Sequence, residues 1–279
     1  MKVSIKGARG SMPTSGPDIA AFGGSTSCIT VEEAGCLLIL DGGTGIQKID
    51  PSDSDLDRID ILLTHLHLDH IQGLGFFKPL FDPEANIHLW APRSVTDSLH
   101  TRLSRYLSPP LFPVLLRDLP CQLELHDIAD SDFEIGPFGI QSQFVIHTGP
   151  TVGFRVKGKK ATLAYMPDHE PALGPKGLIP DPKWISGFDL ACEADLLIHD
   201  AQYTSEEYKS RKGWGHSSME DALSLAKFAD AKHLLLTHHD PSRTDAQLER
   251  LQSKLAQNGG SSINFAFARE GMELELGGD

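Results

Sequence analysis

An apolar run from Ile59 to Leu63, interrupted only by Asp60, leads into Thr64-His65-Leu66-His67-Leu68-Asp69-His70. The run reads as a buried strand of the parallel kind. Residues two apart in extended chain face the same side, so His65 and His67 can grip one ion together. Asp69 and His70 fall where a helix would begin, and a carboxylate suits that positive end. They aim a second pair of donors at an adjacent position. An open α/β sheet places its chemistry at the carboxyl ends of its strands, which is where this cluster lies. A single histidine here would be an ordinary core or surface residue. Three histidines and an aspartate within six positions have no packing rationale, because burying them unpaired would cost roughly several kcal/mol.

Two ions need more donors than these four, and other strand ends offer them. His147 closes the strand-like Phe144-Val145-Ile146 and is the expected third nitrogen beside His65 and His67. Asp168 follows the apolar stretch Ala161 to Met166, where a carboxylate could bridge both ions. His238 follows Leu234-Leu235-Leu236-Thr237 and is expected to join Asp69 and His70. His239 competes for that role. The recurring phrase Leu62-Leu63-Thr64-His65, Leu196-Leu197-Ile198-His199 and Leu235-Leu236-Thr237-His238 favours His238, and suggests several strands delivering ligands to one edge. Asp41, at the tight turn Asp41-Gly42-Gly43, is either a ligand or, preferably, a group that orients the histidine loop by hydrogen bonds. His88 and His100 are expected to be structural or exposed.

The rest of the chain reads as strand and helix without a linker, charge block or low-complexity segment, so residues 1–279 are expected to form one domain. Met1 to Ala8 alternates like a strand, and Cys28 to Val31 with Cys36 to Leu40 reads as a hairpin. Arg93 to Leu107 has the spacing of an amphipathic helix on Val95, Leu99, Leu103 and Tyr106. Gln122 to Val156 is strand-rich, and the last third alternates strand and helix, the grammar of an α/β fold. The loop Phe22 to Ser27 could bring backbone N–H groups to an anion, which makes Ser25 and Thr26 candidates for phosphate contacts. With 38 acidic against 25 basic residues the net charge is −13, which argues against a dedicated nucleic-acid binder. Four cysteines without a CxxC pair indicate neither a zinc ribbon nor a disulfide framework. With no apolar leader and no long apolar run, no membrane contact is expected and the cytoplasm is the expected location.

His65-Leu66-His67-Leu68-Asp69-His70 resembles the HxHxDH signature of the metallo-β-lactamase superfamily, and Asp41, His147, Asp168 and His238 occur in the order of its other motifs. The resemblance implies a four-layer αββα sandwich holding two divalent metal ions, usually zinc. Manganese or iron would also suit His and Asp donors. It implies that His65, His67, Asp69, His70, His147, Asp168 and His238 are the ligands. Position 67 is not the glutamate of the flavodiiron branch, so redox chemistry is not implied.

Three stretches are similar to the phosphodiesterase branch, which includes the tRNA 3′-processing endonuclease. They are Gly149 to Val156, Leu197-Ile198-His199-Asp200-Ala201 (Asp200 where glutamate is common), and Gly215-His216-Ser217-Ser218. The endonuclease's long tRNA-gripping arm has no room between His147 and Asp168. The expected activity is therefore hydrolysis of a small phosphodiester, most simply a cyclic nucleotide or other cyclic phosphate, with a long nucleic acid disfavoured. The alternatives are an RNA-processing endonuclease, or a lactone, thioester or β-lactam hydrolase on the same centre. Asp69, His216 and Asp200 are the expected catalytic residues, His216 acting near the leaving group. His169, Ser25 and Thr26 are the expected substrate contacts, and a homodimer is compatible with the resemblance. A non-catalytic scaffold would carry a damaged ligand set, and none of the seven is missing.

Overall fold

The structure is a computed structural model that describes residues 1–49, 58–173, 178–179, 181–257 and 263–278. Its first six strands are β1 (Lys2–Gly7), β2 (Cys28–Glu33), β3 (Cys36–Leu40), β4 (Ile59–Leu62), β5 (Asn86–Pro92) and β6 (Gln122–Ile128). Then follow β7 (Ser131–Ile135), β8 (Phe138–Phe144), β9 (Val152–Lys157), β10 (Thr162–Met166), β11 (Leu196–Asp200), β12 (His233–Thr237), β13 (Asn264–Phe267) and β14 (Glu273–Glu275). One sheet has the order β14-β1-β2-β3-β4-β5-β6 and the other β13-β12-β11-β10-β9-β8-β7. In each, a hairpin-rich antiparallel part continues into four parallel strands, β3 to β6 in the first and β10 to β13 in the second.

The period-two alternation of the strands decides the layering. Leu38, Leu40 and Leu62 of the first sheet meet Phe154, Val156, Leu163, Tyr165, Ile198 and Leu235 of the second in one buried core between them. The opposite face of the first sheet, through Ile39, Ile61, Ile87 and Leu89, packs on α1 (Leu68–Ile71), α2 (Leu99–Leu103) and their flanking turns. The opposite face of the second, through Ala164, Met166, Leu197, Leu234 and Leu236, packs on α3 (Phe188–Ala191), α5 (Met219–Phe228) and α6 (Asp245–Gln257). A one-turn helix α4 (Ser205–Tyr208) precedes α5 and carries a capping box from Thr204 and Glu207. The result is the expected αββα sandwich. Among the described residues, no helix is long and apolar enough to cross a membrane.

Two expectations change. The helix read over 93–107 contracts to α2, because Ser98 caps it by accepting from Thr101 N–H, and Val95 is fully exposed in the preceding loop. Strand β14 was not anticipated. It pairs three residues antiparallel with β1, and Glu273 and Glu275 face solvent, so its sequence carries almost no apolar signal.

Candidate metal centre

Strands from both sheets end at one rim, and the chemistry collects there. β4 ends just before the His65 loop, β10 before Asp168 and β12 before His238, while β8 leads through Val145 and Ile146 to His147. One group of donors is His65, His67, His147 and Asp168, and a second is Asp69, His70, Asp168 and His238. Asp168 belongs to both. In the first group His147 Nε2 lies 3.2 Å from His67 Nδ1 and 3.6 Å from Asp168 Oδ2, and His65 Nε2 lies 3.8 Å from Asp168 Oδ2. In the second, His70 Nε2 is 2.9 Å from Asp168 Oδ1 and 3.4 Å from Asp69 Oδ2. His238 Nε2 lies 3.2 Å from Asp69 Oδ2 and 3.3 Å from Asp168 Oδ2.

These spacings suit divalent cations. Donors at the corners of a tetrahedron with bonds of about 2.0–2.1 Å stand roughly 3.3 Å apart. His65 Nε2, His70 Nε2 and Asp168 Oδ1 are buried without a hydrogen-bond partner, although His70 and Asp168 approach closely. Such orphans cost about 1–3 kcal/mol each unless something else satisfies them. A pair of cations held between them would do so.

The supports explain why the loop takes this shape. Asp41 is fully buried, and its carboxylate accepts from Thr64 N–H (2.8 Å), Thr64 Oγ1–H (3.0 Å), Tyr165 O–H (3.0 Å) and His70 Nδ1–H (2.9 Å). The last bond fixes the His70 tautomer and leaves Nε2 for the centre. Likewise His147 Nδ1–H donates to Gly215 O at 2.7 Å. Asp69 Oδ2 accepts from Ser11 N–H at 2.7 Å. Gly10 lies under the His238 ring, where an added Cβ would come within 2.3 Å of Nδ1. Asp41 and His238 both sit at positive φ, 62° and 59°. Non-glycine residues rarely adopt that region, and it recurs at functional sites.

The electrostatics of the two groups differ. Burial lowers the pKa of His67 and His147, and burial together with His70 holds His65 well below its usual value. Burial would also lower His238, but Asp168 and the Asp69 bond outweigh it and raise the ring to about 9. His70 lies well above its usual value, because Asp168, Asp41 and Asp69 overcome its burial. Burial would raise Asp69 and Asp168, yet the surrounding histidines hold both below the carboxylate range.

Beside Asp168, His216 Nδ1–H donates to Asp200 Oδ2 at 2.7 Å, and its ring stacks 4.8 Å from that of His238. Asp200 is itself held by His169 N–H (3.2 Å) and Gln202 N–H (3.0 Å). Two clefts open on the centre. An apolar one of about 350 Å³ is lined by His65, His67, Leu68, Arg105, Tyr106 and Thr148 among others. A more polar one of about 560 Å³ is lined by Ser11, Thr148, Tyr203, Arg211, Trp214 and His216 among others. They meet at Thr148.

Three expected substrate contacts lie elsewhere. His169 is fully buried, and its Nδ1–H donates to His199 Nε2 at 2.8 Å, while His199 Nδ1–H donates to Asp200 O. The chain bends at Pro167 and Asp168, and the His199 bond holds the His169 ring outside both donor groups. Thr26 is fully buried, and its Oγ1 accepts from Thr44 N–H at 2.8 Å. Ser25 has its backbone tied to Arg9 and Glu270 and lines neither cleft. His199 also departs from the shared strand-end phrase. It lies within β11 rather than after it, so Asp200, not His199, turns toward the centre. His239 donates to Ala268 O and packs between Phe22 and Phe267. A separate cluster of His88, Glu124 and His126 is closed by a 2.8 Å hydrogen bond between its two rings and stacks on Trp90.

The profile of the β-lactamase superfamily domain matches residues 40–239. Ribonuclease Z of Lactococcus lactis subsp. lactis is 30% identical over 220 residues, covering 64% of this chain and 69% of that protein. Ribonuclease Z of Thermococcus gammatolerans is 25% identical over 315 residues, covering 97% and 93%. The crystal structure of the short form of human tRNase Z superposes with a TM-score of 0.67 at 23% identity, covering 99% of each chain. With its fold, its strand-end motifs and these relatives, the chain belongs to the metallo-β-lactamase superfamily, in the branch of phosphodiesterases and tRNA 3′-processing endonucleases.

Proposed function

We propose that the protein is a metal-dependent phosphodiesterase whose substrate is an RNA with a 3′ extension. The observation that carries this is Asp168 shared between two donor groups, with the His216–Asp200 pair at its side and clefts leading away in both directions. His65, His67, His147 and Asp168 would hold one divalent ion and Asp69, His70, Asp168 and His238 the other, with zinc, manganese or iron suited to such donors. When bound, such a pair supplies positive charge against a phosphate oxygen and acidifies the attacking water. The chain's own residues do the rest. Asp200 fixes Nδ1–H of His216, so the proton for the leaving oxygen travels from Nε2. Ser11 N–H orients Asp69, and Asp41 orients His70. The apolar cleft keeps bulk water from one side of the phosphate.

The ribonuclease relatives weigh against the expectation that a long nucleic acid is disfavoured, and for the RNA alternative over a small cyclic phosphate. The cyclic-phosphate reading keeps two observations in its favour, the net charge of −13 and the short connection from His147 to Asp168. A panel decides between them. A 3′-extended precursor tRNA, a 2′,3′-cyclic nucleotide, a chromogenic phosphodiester, a thioester and a lactone are offered to chelated protein and to protein reloaded with zinc, manganese or iron. Metal-restored cleavage of the precursor tRNA is expected. Cleavage of the cyclic nucleotide alone moves the substrate to small phosphates, and thioester or lactone turnover without phosphodiester cleavage overturns the proposal.

A further inference from the structure

Trp214 stands at the mouth of the polar cleft, two residues before His216, with 58% of its surface exposed. The loop that presents it is fastened from below. Glu170, fully buried, accepts from Gly213 N–H (2.9 Å), from Gly215 N–H (2.8 Å) and from the Tyr208 hydroxyl. Gly213 and Gly215 bracket the tryptophan at φ of 84° and 86°, where a side chain would strain the backbone. At Gly215 an added Cβ would also come within 2.5 Å of His147 Nδ1. The indole is thus held out over the cleft by a loop anchored to the reacting centre. Next to it the Arg211 guanidinium sits 5.0 Å above the Tyr203 ring, and Tyr203 meets His216 edge-on at 6.0 Å. A rigid exposed aromatic beside a cation, on the side where His216 serves the leaving group, has the chemistry of a base-stacking platform with a phosphate contact.

We propose that residues 211–215 form a nucleotide subsite for the leaving group. Attack of water on phosphorus breaks the bond to the leaving oxygen, which takes its proton from His216. Trp214 stacks the base of the nucleotide that carries this oxygen, and Arg211 faces that nucleotide's other phosphate. The inference rests on the phosphodiesterase reading and deepens it, since it requires a leaving group that is itself a nucleotide. The test uses the metal-loaded full chain and a precursor RNA in which the nucleotide that bears the leaving oxygen is either normal or abasic. For the wild type, KM is expected to be about tenfold lower with the base present, the loss of one base–aromatic stack. In Trp214→Ala the two substrates converge, while Trp214→Phe keeps most of the difference. Arg211→Gln lowers the salt slope of KM by about one. If Trp214→Ala discriminates as well as the wild type, the subsite is wrong although the activity stands. If no phosphodiester is cleaved, adenosine 5′-monophosphate is titrated against tryptophan emission in the wild type and Trp214→Phe. Saturable quenching present only in the wild type supports the subsite without the activity, and its absence overturns the subsite as well. A concentration-dependent emission shift lost in Trp214→Phe and insensitive to the nucleotide assigns Trp214 to a second copy of the chain, and also overturns it.

Discussion

The two halves of the candidate centre share Asp168 and differ in almost everything else. The half built on His65, His67 and His147 borders the apolar cleft and includes the exposed His67. The half built on Asp69, His70 and His238 has no exposed donor and is backed by Asp41, Ser11 N–H and the close approach of Gly10. One half presents neutral nitrogens. The other concentrates three carboxylates, counting Asp41, around two histidines, and so builds a negative potential in a place water does not reach. The difference assigns labour. On the proposed function, the buried half would retain a cation and the open half would bring one against the substrate.

Asp168→Ala tests the shared point and has the largest expected effect. It removes a donor from both halves, so kcat/KM should fall by about 10³-fold or more. Elemental analysis should show loss of both ions; two ions retained would end the idea of sharing. Gly10→Ala comes next. Its Cβ would displace the His238 ring, and a misplacement of that kind costs roughly 10²-fold in rate. The loss should appear with the open-half ion still bound, and an unchanged rate would show that Gly10 is not a constraint. Asp41→Asn should weaken the buried ion or the activity by about 10- to 100-fold, the range for a partner that orients a ligand. Chelator titration of Asp41→Asn beside His67→Ala sharpens the contrast, since the first should loosen the slowly released ion and the second the rapidly released one.

Most residues of the candidate centre were legible because a proposed metal site draws on residue types that packing does not. An apolar strand ending in His65-Leu66-His67-Leu68-Asp69-His70 has few structural uses, and His147, Asp168 and His238 each follow an apolar strand. The supports made of backbone were not legible. Ser11 contributes an N–H and Gly10 a missing side chain, and neither leaves a chemical mark in its loop. His169 lies elsewhere than expected because adjacency to Asp168 suggests a common target, whereas the chain bends there and His199, distant in sequence, takes up the ring. Thr26 looked like a phosphate contact because small polar loops often are; here it closes the turn at Thr44. Trp214 gave no periodic signal, and its exposure depends on Glu170, distant in sequence.

Proton release on metal binding is the mildest probe of the two halves and separates them most directly. In the metal-free protein at pH 7.5, His65, His67 and His147 have lowered pKa values and are already neutral. His238, raised to about 9, is still protonated, and His70, raised well above its usual value by Asp168, Asp41 and Asp69, holds its proton more firmly than a free imidazole. Filling the open half should therefore release almost no protons, and filling the buried half should release that of His238 together with whatever His70 still holds. Calorimetry in buffers of different ionisation enthalpy reads this directly, and equal release from both ions would erase the distinction. Stability follows the same signs. A histidine raised in the fold stabilises below its unfolded value near 6.5, and that contribution fades as pH climbs through about 9 for His238. Lowered histidines act oppositely, since the unfolded chain takes up their protons first, so their contribution holds above about 6.5 and fades as pH falls below it. The metal-free melting temperature should consequently drop on both sides of neutrality. His238→Asn should shrink the alkaline decline to the part that His70 supplies and leave the acid side, where the open-half histidines act, in place.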